Sequence, residues 1–139
     1  GGLLTGSSGW LKPHKPDVET VGVSPENSPV MYESVRSNRM VEMETYRTLA
    51  DTCAGGVDLD SITLELCHRY VDEIVLLTEK EIETAIRTLF EQHRLVAEGS
   101  GALGVGALLK YRDRFQGKKV VAVVCGRNID LQVFKKIIA

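Results

Sequence analysis

"KVVAVVCG", Lys119 to Gly126, is the stretch whose reading decides the fold. From Val120 to Cys125 every residue is apolar, so an extended segment here would be hydrophobic on both faces. A strand of that kind belongs in the interior of a parallel sheet covered by helices on either side. Two further runs fit the same sheet: "VETVGVS" (Val18 to Ser24), rich in β-branched residues, and "EIVLLT" (Glu73 to Thr78).

Helices are expected between and after these strands. Ser28 followed by Pro29 reads as an N-cap and a first helical position, opening a helix through Ser37 with Asn38 as its stop. "MVEMETY" (Met40 to Tyr46) is a short strand or an extended connection, and "LADTCAGGVDLD" (Leu49 to Asp60) is a loop. Asp60 or Ser61 caps "ITLELCHRYV". Thr78 and Glu81 form a capping box, each satisfying an orphan amide of the other. The helix they open carries Ile82, Ile86, Leu89, Phe90 and His93 on one side, His93 as a half-buried packing residue. "EGSGALGVGALL" (Glu98 to Leu109) is helical by its Ala and Leu content yet holds four glycines. Each costs about 0.5–1 kcal/mol relative to Ala inside a helix, so this helix should lie against another backbone or a ligand. The alternation of strands and helices indicates an α/β domain over residues 1–139, with an open, mostly parallel sheet and helices on both faces.

Composition narrows the function. The 139 residues are 43% hydrophobic and carry a net charge of -2, with no cluster of Lys or Arg, so no basic footprint for nucleic acid is present. No apolar run reaches the length of a membrane span, and no signal-peptide pattern opens the chain. The cysteines number three, with none in a C-x-x-C, which points to reduced thiols in a cytoplasmic setting. The histidines have no metal-ligand spacing, and no metal site is expected.

In a parallel sheet ligands gather at the carboxyl ends of the strands. Gly1, Gly2 and Leu3 precede a possible helix, where backbone amides can converge on an anion; a frayed terminus is the plainer reading. Cys125 ends the apolar strand, where its thiol can meet a ring nitrogen or serve as a small core residue. Glu98 opens the glycine-rich helix, facing a cofactor or favouring its own helix dipole.

Six segments in order carry a resemblance: "GGLLTG", "VGVSPENSPVMYESV", "TLADTCAGGV", "SITLELCHRYVDEIVLLTEKEI", "HRLVAEGSGALGVGALL" and "VVAVVCGRNID". Together they resemble the threonine and serine dehydratases (ammonia-lyases), pyridoxal 5'-phosphate enzymes of fold type II, a group that includes serine racemase and tryptophan synthase β. The resemblance implies a lyase that eliminates the β-hydroxyl of an amino-acid substrate to give a 2-oxo acid and ammonia. It implies that Gly1 and Gly2 end a phosphate-binding glycine run. It places Cys125 beside the pyridine nitrogen, where a neutral thiol leaves the ring unprotonated. It makes Glu98 the carboxylate opening a helix near the cofactor, and Asp51 to Gly56 a loop close by. The lysine that would carry the cofactor, with most of the small domain, should lie upstream of Gly1. No catalytic residue is therefore assigned here, and the chain is expected to be the inactive C-terminal half of a homo-oligomeric enzyme. A non-catalytic anion- or partner-binding domain stays open, as does a racemase or a dehydratase for another hydroxy-amino acid. Three departures stand out. Thr52 sits where the family often has Gly. Cys125-Gly126-Arg127-Asn128 replaces S-G-G-N or S-G-A-N. Ser24 and Val30 occupy the places of cation-binding acids, so that metal site is not carried over.

Overall fold

The computed structural model describes all of residues 1–139. Helix α1 (Gly2–His14) leads to strand β1 (Val21–Pro25) and helix α2 (Val30–Ser37). A 3-10 turn (Asp51–Cys53) precedes helix α3 (Thr63–Tyr70), strand β2 (Glu73–Leu77) and helix α4 (Glu79–His93). Helices α5 (Gly99–Lys110), α6 (Arg112–Phe115) and α7 (Leu131–Ile138) complete the chain. β1 and β2 pair in parallel, with Val21 opposite Glu73 and Pro25 opposite Leu77.

The core lies between β2, α4, α5 and α7. Leu77, Ile82, Ala85 and Ile86 are wholly buried there, and Phe134 and Ile137 close it from α7. Phe90 meets Phe134 edge to face at 5.2 Å between ring centres. The capping box forms as expected: Glu81 N–H donates to the Thr78 hydroxyl at 3.2 Å, and Thr78 N–H to the Glu81 carboxylate at 2.8 Å. Asn38 stops α2 in the left-handed conformation, φ 52°.

Several expectations need correction. Lys119–Gly126 carries no strand ladder, and Val121 is 91% exposed. A strand buried on both faces needs neighbours to satisfy its backbone. The only ladder in this chain joins β1 and β2, so the segment rests its carbonyls on α5 instead. The α/β class and the parallel sheet hold, with two strands in the sheet. Of the two readings of Met40–Tyr46, the connection is the one that forms, since the segment has no strand ladder. α2 begins at Val30, because the Ser28 hydroxyl accepts from the Gly55 amide at 3.0 Å and does not cap the helix. α3 begins at Thr63, with Ser61 Oγ taking the Thr63 amide at 3.4 Å. His93 is exposed at the end of α4, where the chain turns left-handed at Arg94.

The amino ends of the strands are fastened by charge. Asp72 accepts from Lys12 Nζ at 2.6 Å and from the Thr20 amide at 2.7 Å. The Lys12 ammonium, then the Thr20 amide, hold the Asp72 carboxyl below the usual range. Arg114 bridges Glu19 and Glu73, and Lys118 joins Glu19 at 3.5 Å.

Candidate cofactor site

The amino end of α5 is where distant segments meet. A Cβ on Gly99 would stand 2.0 Å from the Leu49 carbonyl oxygen, and one on Gly101 would stand 1.8 Å from that of Cys125. No real side chain survives such distances. The glycines let α5 touch the Leu49–Ala50 backbone on one side and the Cys125–Gly126 backbone on the other. The helix accepts its propensity cost for this approach, as its sequence suggested.

Glu98 caps this end, and its carboxylate turns away from its own helix. Its Oε2 accepts from the Asn128 amide at 2.9 Å, and its Oε1 accepts from the Thr52 hydroxyl at 3.5 Å. Its own amide donates to the Gly126 carbonyl at 3.2 Å. Gly126 holds φ at 77°, and a Cβ there would lie 2.5 Å from Glu98 Oε1. Its side chain makes no capping bond to its own helix; it fastens the segment that carries Cys125.

Cys125 is exposed on the surface of this chain, unlike the buried position a free cysteine commonly takes. That position falls to Cys67, which is buried and whose thiol burial pushes up. The Asp51–Gly56 loop is anchored from beneath. Leu49 N–H donates to Glu79 Oε2 at 2.7 Å, and Gly55 N–H to Ser28 Oγ at 3.0 Å. Sequence reasoning did not find the parts played by Ser28, Glu79 and Asn128. Their partners lie 27 to 30 residues away, beyond any local pattern.

Gly1, Gly2 and Leu3 form a separate neighbourhood. The nearest atoms to a Cβ on Gly1 belong to Thr63 and Met31, and Gly1, Gly2 and Leu3 are exposed. α1 has neither a side-chain cap nor an acidic residue in its first turn. The amides of Gly2, Leu3 and Leu4 therefore have no intrahelical acceptor, at the positive end of a 13-residue helix. A depression of about 330 Å³ lined by Leu108, Arg112, Asp113, Phe115 and Gln116 lies at the opposite end of α5 from Glu98. It takes no part in this site.

The sequence model of a family described as "Pyridoxal-phosphate dependent enzyme" matches residues 1–126. The chain belongs to that family. It is 45% identical over 138 residues to an L-threonine ammonia-lyase of Thermotoga maritima, covering 99% of this chain and 34% of that protein. Among solved structures it resembles the processed form of threonine deaminase isoform 2 from Solanum lycopersicum, with TM-score 0.90 and 27% identity, over 99% of this chain and 40% of the other. It also resembles serine racemase from Dictyostelium discoideum, with TM-score 0.81 and 29% identity, over 94% of this chain and 42% of the other. The chain thus spans about a third of the curated ammonia-lyase it matches. The donor set fits the family's cofactor. Free amides at the start of α1 suit a phosphate dianion. An exposed thiol on a fastened turn suits a ring nitrogen.

Proposed function

We propose that this chain is the phosphate- and ring-nitrogen-binding part of a pyridoxal-phosphate ammonia-lyase acting on threonine or serine. The observation that carries this is Glu98 fastening the Cys125–Asn128 turn to α5, which leaves the thiol exposed on a fixed backbone. The 45% identity to a threonine ammonia-lyase supports the choice of reaction.

When bound, pyridoxal phosphate supplies an electron sink that labilises the α-proton of an amino acid, so that a β-hydroxyl can leave. This chain's residues bind and orient. The amides of Gly2 and Leu3 would take phosphate oxygens. The Cys125 thiol would meet the ring nitrogen without protonating it, which moderates the sink. Glu98 would keep that thiol in place. The lysine that moves the α-proton is not assigned to this chain. Lys118 pairs with Glu19 at the amino end of the sheet, away from Cys125.

The remainder of the enzyme is the partner we infer for the exposed Val120–Val124 segment, and the whole is read as a cytoplasmic homo-oligomer. No helix is long and apolar enough to cross a membrane. The test is to combine this chain with the upstream portion, add cofactor, and measure 2-oxo acid release from threonine and serine. Visible cofactor absorbance and 2-oxo acid production support the reading. Formation of D-serine without 2-oxo acid would transfer it to a racemase. A soluble, colourless and inactive mixture would overturn the enzyme reading and favour a binding domain.

A further inference from the structure

We propose that Thr52 is a positioning residue, a latch that sets the Glu98 carboxylate and through it the backbone carrying Cys125. The inference rests on the cofactor role proposed for Cys125 but concerns a residue to which that role assigns nothing.

Glu98 is held at three points. Its amide bonds the Gly126 carbonyl, its Oε2 takes the Asn128 amide, and its Oε1 faces the Thr52 hydroxyl. The first two contacts belong to the segment being held. With those alone the backbones are set, but the Oε1 side of the carboxylate is free to turn about the Glu98 side-chain torsions. The third contact, at 3.5 Å the longest of the three, comes from a different element and directs the carboxylate toward the 3-10 turn.

That turn is firm. Thr52 lies in the 3-10 turn, closed by Cys53 N–H to the Ala50 carbonyl at 3.0 Å and Ala54 N–H to the Asp51 carbonyl at 3.1 Å. The loop bearing the turn is pinned by Glu79 at Leu49, by Ser28 at Gly55, and by the close fit of Gly99 on Leu49. A hydroxyl mounted there is carried by a fixed backbone, on the Oε1 side of Glu98. Thr52 is exposed, so water competes for the carboxylate and the bond adds little net stability. Its effect is on orientation. Glycine, which the resemblance leads one to expect at this position, has no donor to offer.

The test is amide hydrogen exchange at Asn128 in the full chain, with and without added pyridoxal phosphate. Thr52→Val should speed Asn128 exchange roughly threefold or more, as expected on loosening one hydrogen bond to a carboxylate. Thr52→Ser should keep it within about twofold of the parent, since the donor is retained. The Phe134 amide, bonded to the Asp130 carbonyl at 2.9 Å, is the control for general loosening. The latch is overturned if Thr52→Val leaves Asn128 unchanged, if Thr52→Ser behaves like Thr52→Val, or if Phe134 accelerates equally. Catalytic assays bear on the proposed function; Asn128 exchange bears on the latch alone.

Discussion

At Gly101 there is no room for one more carbon. The Cys125 carbonyl oxygen would sit 1.8 Å from an added Cβ, and neither partner is a flexible side-chain tip. Gly101→Ala must therefore push α5 away from the Cys125 turn, at a cost of about 1–3 kcal/mol or more. Gly6, on α1, has nothing within 4 Å of its missing Cβ. Gly6→Ala should add about 0.5–1 kcal/mol. Urea midpoints of the two variants should move in opposite directions. Equal and small shifts would show that α5 and the turn do not touch as described. The glycine pattern of α5 was legible in the sequence as a sign of close approach. What it approaches was not, because Leu49 and Cys125 are distant in the chain and nothing local points to them.

At the scale of elements, what could be read were the features whose parts lie within one turn of each other. The Thr78–Glu81 capping box and the left-handed stop at Asn38 are local, and both form. Strand status is not local. Lys119–Gly126 has the composition of a central strand but no ladder partner here, and hydrogen-bonded neighbours make a strand. Ser28 looked like a cap until Gly55 supplied a competing donor from far along the chain. The start of α4 also allows an electrostatic test. Lys110 Nζ donates to Glu81 at 3.0 Å and to the Leu76 carbonyl at 3.0 Å. Burial pushes the Glu81 carboxyl up, but the Thr78 amide and the Lys110 ammonium outweigh it and leave it lowered. Burial pushes Lys110 down, and Glu81 outweighs that to leave it raised. A lowered carboxyl stabilises the fold above its unfolded pKa and loses that contribution as pH falls through the folded one; a raised ammonium does so below its unfolded pKa and loses it as pH rises. The pair is thus effective between about pH 4.5 and 10.5. Lys110→Met should lower stability by about 1 kcal/mol at pH 7, and the gap to the parent should narrow as pH falls below about 4. A gap that persists in acid would assign the effect to the Leu76 carbonyl contact or to packing.

For the whole molecule, the exposed valines are the feature to test. Val121 is 91% exposed and Val123 52%, on a segment that relatives of about three times this length share. Val121→Lys should leave the thermal midpoint of this chain nearly unchanged, since little is buried there. The same change should block association with the upstream portion and retention of cofactor, seen as lost visible absorbance after gel filtration. Normal association would remove this segment from the interface. The α/β class and the helix order could be read from the chain alone. How far the sheet extends could not, because strand pairing is set by partners distant in the chain and not by local composition.

The contacts of α5 with Leu49 and Cys125 are backbone against backbone. They contain no χ angles, so no rotamer freedom is surrendered when they form. They also contain no side chain that could repack to absorb a shift. A displacement of either loop is passed to the other with little slack, and the two would open and close together or not at all.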